Sequence, residues 1–455
     1  MLKIACRSFL VWNGFVGALF LGGLSLSACG ADLLDIYRLA LRNDPIFEVA
    51  RYTLKAAQEK YPQAVAGLLP TVNANGTNNV TKALSQFSNS PVVLRDVHAW
   101  NWTLQLTQPL VRMQNVYAYD EAKVTVEQAQ AQFNLAEQDM ILRITEAYFG
   151  VLASREGISV AEAELSATEE QLELAKHGYE IGVAAITDVT EGKSRLDLAR
   201  SHLVAARNEL DAKNAELGKI VDEVPEQLVP LSASVFIPPP EPNNQQAWID
   251  LARESNPAVR AAQSGLLAAE ATVSKTRAEH APTLDLVASY GENYSSGSTT
   301  MPTDFASKGQ TRQVGIQFTV PLFAGGGTSS RVAEAIANKY RAGAELEVAR
   351  RQAATDARLA FAGVVNGLSQ ITALESAVES GQSMVDESHA GYKLGIYNNV
   401  KVLDAEQQFY TAKRDLVKAR YDTLFQALKL KAATGSLKEE DLVNANAFFS
   451  ANKSE

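Results

Sequence analysis

The chain has 455 residues, room for two or three ordinary domains, and a 46% hydrophobic share with 28 Gly and 15 Pro marks a folded protein. A net charge of -10 and a pI near 5.3 exclude nucleic acid as a partner, because phosphate binding needs concentrated Lys and Arg. The only two cysteines, Cys6 and Cys29, fall in the N-terminal segment, so the body of the chain has no disulfide and no thiolate metal site.

Residues 1–28 read as a signal peptide: Lys3 and Arg7 precede a largely apolar stretch from Phe9 to Leu26 that ends in small residues. The stretch is also long enough to be taken for a membrane helix. Leu26-Ser27-Ala28-Cys29 has the layout of a lipobox, which makes Cys29 a candidate for lipidation. The competing reading is cleavage after Gly30 or Ala31, which discards Cys29.

Beyond the leader, four anchors recur in order. Pro45, Pro70 and Pro109 return as Pro257, Pro282 and Pro321, each pair 212 residues apart, and Gly178 returns as Gly391 at 213. A duplicated unit follows from this spacing. Residues 33–224 form the first repeat and 246–437 the second. A Pro-rich linker, 225–245, joins them and cannot continue a helix, and a polar tail, 438–455, closes the chain. Each repeat opens with a helical region, about Leu33 to Ala66 and Gln246 to Ala278.

Two strands come next in each repeat, about 70–84 and 97–109, then about 282–294 and 311–321. Trp100, Trp102, Leu104 and Leu106 alternate with Asn101, Thr103, Gln105 and Thr107, and Val314, Ile316 and Phe318 alternate with Gln313, Gly315 and Gln317. This is the period-2 signature of strands with one apolar and one polar face. Strands of roughly ten residues cross a bilayer when tilted, although a soluble sandwich would bury the same faces. Four strands cannot close a barrel, since about eight is the lower limit, so a membrane-spanning form requires several chains.

Long helical tracts follow, over 113–221 and 328–434. Heptad-spaced Leu and Ala on the returning arms describe antiparallel coiled pairs. At the hairpin tips Gly182 and Gly395 suit turns with positive φ, and Thr187 or Asp188 suits the cap of the returning helix. Converging copies of these turns would place Asp188, Lys401 and Asp404 in rings of charge at a constriction. No catalytic signature appears, and the five histidines lack metal-ligand spacing.

The Asn-Pro and Pro-Thr anchors, the Pro-Leu-Phe-x-Gly-Gly run at Pro321 to Gly326 and the Gly-x-x-x-Gly tips resemble the TolC family of outer-membrane efflux and secretion ducts, over about residues 33 to 440. The resemblance implies an α+β membrane protein: a trimer with a shared 12-stranded β-barrel in the outer-membrane lipid, continued by a long 12-helix α-barrel through the periplasm. It further implies a periplasmic adaptor, an inner-membrane pump or ABC exporter, no cofactor and no enzymatic activity. In the family an aspartate, a tyrosine and an arginine hold the periplasmic entrance shut. Asp188 and Tyr392 match the first two, but Tyr397 stands where the arginine would be. Of the two ring aspartates of the second tip, Asp404 matches and Lys401 replaces the other, so Lys401 is expected to pair with an acidic group, with Asp188 as candidate. The expected function is a passive exit duct for small molecules or proteins. The alternative is a soluble periplasmic coiled-coil scaffold or adaptor.

Overall fold

The computed structural model describes residues 30–88, 90–231, 237–301 and 305–446. The expected leader, the lipidation candidate Cys29 and the end of the expected tail lie outside these residues. The opening helical region is three helices, α1 (Leu33–Asn43), α2 (Pro45–Gln58) and α3 (Lys60–Ala66). Strands β1 (Thr71–Ser85) and β2 (Val93–Val111) follow, then α4 (Met113–Glu180) and α5 (Ile186–Val221). After the linker come α6 (Gln245–Ser255), α7 (Pro257–Arg277), a 3-10 turn at Ala278–His280, β3 (Thr283–Ser295), β4 (Ser307–Thr319), α8 (Gly327–Lys393), α9 (Asn399–Ala433) and α10 (Glu439–Asn446).

The 68 residues of α4 and the 67 of α8 make helices on the order of 100 Å long at 1.5 Å per residue. Such lengths need lateral partners. Near the strands α4 packs against α2, α3 and α7, and α8 against α6 and α7; farther away α4 pairs with α5, α8 with α9, and α4 with α9. The wall is therefore about four helices wide at either level. No helix among the described residues is long and apolar enough to cross a membrane.

The largest core lies where the two levels meet. Leu33, Ile36, Met140, Ile141, Ile144, Tyr148, Leu217, Val221 and Leu428 cluster there with Leu442 and Ala445. The last two correct the expectation of a polar tail: α10 packs into this core and buries Leu442 completely. One side chain buried in this way contributes about 1.5–3 kcal/mol.

The repeated Asn-Pro anchors stand at the same level and do parallel work. Asp44 caps α2 by accepting from the Ile46 N–H at 3.1 Å, while Asn43 donates to the Val221 carbonyl at the end of α5 (2.9 Å). In the second half Asn256 does both, accepting from the Ala258 N–H and donating to the Ala433 carbonyl at the end of α9, each at 2.8 Å. Proline at the first helical position loses no bond, because that N–H has no partner within the helix. Past the helix ends Gly435 takes φ 71°, where a Cβ would meet the Ser255 carbonyl at 2.6 Å. Asp222 occupies the corresponding place after α5 with φ 71° and ψ -59°, a strained γ-turn conformation for a residue with a Cβ.

The four strands form one antiparallel sheet in the order β1-β2-β3-β4. The register aligns Val72, Leu106, Ala288 and Val314 in one row, and Asn73, Gln105, Ser289 and Gln313 in the next. One face thus gathers Leu104, Leu284, Leu286, Ile316 and Phe318, and the other is polar. Arg112, where β2 passes into α4, pairs with the buried Asp285 of β3 at 2.6 Å and ties sheet to helices. Both outer edges of the sheet, on β1 and β4, are unpaired among the described residues of the chain.

Candidate functional site

The two hairpin tips share one backbone construction. The Gly178 carbonyl accepts from the N–H groups of Val183 (2.9 Å) and Ala184 (3.0 Å), and the Gly391 carbonyl from Ile396 (2.8 Å) and Tyr397 (3.3 Å). Gly182 at φ 79° and Gly395 at φ 72° reverse the chain, a conformation that penalises any side chain. The first glycine of each phrase answers a different need. A Cβ on Gly178 would lie 3.0 Å from that of Ala184, and one on Gly391 would run into the Tyr397 ring. Tyr397, which stands where the resemblance places an arginine, covers its own turn.

The returning helices begin with different caps. Asp188 sits one turn into α5 and accepts from the Ala185 N–H at 3.2 Å, whereas α9 is capped by Asn398, which accepts from the Lys401 N–H at 3.1 Å. A carboxylate suits this place, where the helix dipole is positive; the ammonium of Lys401 in the equivalent position of α9 does not. Asp188 also comes near Tyr392, whose hydroxyl is raised above its ordinary pKa by burial and then by the Asp188 charge. Lys401 has no ion-pair partner among the described residues of the chain. Asp188, Tyr392 and Tyr397 are therefore gathered around the turns, and Lys401 is exposed beside them.

Asp404 is not a free ring charge. Arg195 on α5 reaches it at 2.9 Å, holds Glu191 at 2.9 Å and touches the side-chain carbonyl of Gln407. One guanidinium thereby fastens α5 to α9 about two turns above the tip. Beside it the fully buried Asn399 donates to the Asp188 carbonyl at 3.3 Å and accepts from Gln171 of α4. Arg195, Asn399 and Gln171 are absent from the sequence reading. One signal was available: Arg195 falls seven residues after Asp188, so a helix places the two on one face.

The seam between the hairpins stays polar farther up. There Tyr421 of α9 donates to Glu156 of α4 at 2.5 Å and Arg414 of α9 lies 3.7 Å from Glu164 of α4, while within the hairpins His202 of α5 bonds Glu164 at 3.3 Å and His389 of α8 bonds Glu406 of α9 at 2.9 Å. Burial raises the Glu156 and Glu406 carboxyls above the usual range, opposed by the Tyr421 hydroxyl and by His389 respectively. One oxygen each of Glu164 and Glu406 is buried without a hydrogen-bond partner. Among the described residues no three His, Cys, Asp or Glu side chains cluster as metal ligands.

Comparison with known proteins gives a consistent result. The sequence pattern of the family described as "Outer membrane efflux protein" matches residues 36–221 and 248–436. The chain is 31% identical to outer membrane protein TolC of Escherichia coli, over 94% of this chain and 87% of that protein. It is 30% identical to the alkaline protease secretion protein AprF of Pseudomonas aeruginosa, over 96% of this chain and 90% of that one. Among solved structures, the CmeC outer membrane channel of Campylobacter jejuni superposes with a TM-score of 0.77 at 16% identity, covering 91% of this chain and 89% of that one.

Proposed function

This chain belongs to the outer membrane efflux protein family, and from that premise we propose that three copies join their four-stranded sheets into one twelve-stranded barrel continued by a twelve-helix tunnel. It is an outer-membrane exit duct for efflux and secretion, with its helical part in the periplasm. The observation that carries the assembly is the sheet. It has an apolar and a polar face, and two open edges that no spanning structure leaves unpaired in lipid. Exposed apolar residues on the flanking helices support the same joining, with Ile46, Val49 and Tyr52 on α2 at one edge and Tyr340, Val348 and Leu359 on α8 at the other.

The order helix, strand, strand, long helix and shorter helix occurs twice, which supports a duplicated unit with a seam at 225–245. The duct is passive and not an enzyme. An inner-membrane pump or ABC exporter supplies the energy, and a periplasmic adaptor joins the two. The relatives are named for efflux and for protease secretion, and either cargo class suits the duct.

The tips form the gate. Within each copy Arg195 holds Asp404, and Asp188 lies by Tyr392; between copies the exposed Lys401 meets an acidic group of its neighbour, with Asp188 as the candidate. Purified protein added to planar bilayers is expected to give discrete conductance steps. Lys401→Ala is expected to raise the resting conductance by up to about fivefold, the worth of one exposed ion pair. An unchanged resting conductance would remove Lys401 from the gate.

A further inference from the structure

The polar face of the sheet carries almost no charge. From the row Thr71, Thr107, Val287 and Gly315 to the row Asn79, Ala99, Ser295 and Ser307, every polar-face position is a hydroxyl, a carboxamide or a small or apolar residue, and none is ionisable. Asn73, Gln105, Ser289 and Gln313 make one full row of it, and Thr77, Asn101, Asn293 and Gly309 another. The ionisable residues of the same strands stand elsewhere. Lys82, Asp96, His98, Glu292, Lys308 and Arg312 alternate onto the opposite face.

Those opposite-face charges are largely compensated where they stand. Lys82 lies 3.5 Å from Asp96 and Lys308 3.7 Å from Glu292, and the Arg312 guanidinium rests 5.4 Å from the centre of the Tyr290 ring. One ionisable residue stands near each end of the polar face, outside the rows named above. At the helix side Asp285 is buried against Arg112 at 2.6 Å. At the other end Arg95 spends its guanidinium on the carbonyls of Ser298 (2.7 Å) and Met301 (2.9 Å) and on the Phe87 ring.

We propose that the barrel section of the duct is charge-blind: a hydroxyl- and carboxamide-lined wall that passes water-soluble cargo of either sign alike, so that any charge selection is imposed before cargo reaches the sheet. This rests on the reading above, in which the polar face lines the lumen. Hydroxyls and carboxamides both donate and accept, so they hydrogen-bond cations, anions and neutral groups without preference. Paired charges on the far face add little, because compensated dipoles fall off faster than single charges and salt screens them over about 8 Å.

The test uses the scarcity of cysteine. Only Cys6 and Cys29 occur in the chain, both ahead of the described residues, so an introduced thiol is read against the unsubstituted protein. Asn75→Cys and, independently, Thr311→Cys place a thiol in the same row of the polar face. Each is treated from outside with a cationic and an anionic methanethiosulfonate of matched size, in high and low salt. The expected ratio of the two rates is that of a small free thiol, within about twofold at either salt concentration; a fixed field would shift it tenfold or more. A preference on that scale, growing as salt falls, would overturn the charge-blind wall while leaving the lumen reading intact. If both polar-face thiols stay unmodified while Leu104→Cys on the apolar face reacts, the lumen reading is inverted and both fall.

Discussion

Arg195→Ala is expected to raise the resting conductance of the reconstituted duct by about an order of magnitude, more than any other single change at the tip. The side chain is three-quarters buried and spans two helices, with Glu191 on its own helix and Asp404 and Gln407 on the neighbouring hairpin. Hydrogen bonds to charged groups are worth about 1.5–3 kcal/mol, and about 1.4 kcal/mol moves a two-state equilibrium tenfold. Arg195→Lys should recover only part of the closure, because an ammonium cannot match the planar fork that reaches several acceptors at once. The substitution also frees the Asp404 carboxylate, so cation preference should rise together with conductance. Asp404→Ala should raise conductance while lowering cation preference. Opposite selectivity with a shared opening separates a clasp from simple damage to the tip, and an Arg195→Ala duct that rests as closed as the parent would refute the clasp.

The second large effect concerns stability. Arg143→Ala is expected to destabilise the assembly by about 3–5 kcal/mol, the cost of leaving a buried carboxylate without its partner. Asp44 is 1% exposed and meets Arg143 at 2.6 Å, and the guanidinium also holds Asp139 at 2.8 Å. With the arginine gone, the Asp44 carboxylate keeps only the Ile46 N–H. The second half of the chain supplies the remedy: Asn256 holds the matching place, caps α7 and carries no charge. Asp44→Asn should therefore be tolerated, and adding it to Arg143→Ala should restore most of the lost apparent melting temperature in detergent. Equal melting temperatures for Arg143→Ala and the parent would show that the buried pair does not hold this junction.

Local pattern carried most of the architecture. Alternation of period two located β2 and β4, and the repeated Pro70 and Pro282 anchors located β1 and β3, with ends within a few residues. Glycine at Gly182 and Gly395 and the absence of proline located the hairpins. The first helical region was read as one, whereas Pro45 opens a second helix and Pro62, which has no N–H to give the Gln58 carbonyl, accompanies the break between Gln58 and Lys60. The α10 helix was missed because a helix of eight residues shows too little periodicity to set Leu442 and Ala445 apart from polar neighbours.

The proposed gate was legible only in part, for a different reason. Turn chemistry is local, so the tips could be found. Partnership across hairpins is not: Arg195 and Asp404 lie 209 residues apart, and Gln171 and Asn399 lie 228 apart. The family resemblance pointed to a missing arginine at Tyr397. The arginine that fastens the tips stands instead on the other hairpin, at Arg195.

The central claim is that open-edged sheets close by assembly into an outer-membrane duct. The native mass of the full-length protein, extracted from outer membranes in mild detergent, tests it most directly. The account predicts a mass of three chains and no stable species without detergent. A monomer that stays in the soluble periplasmic fraction would contradict it.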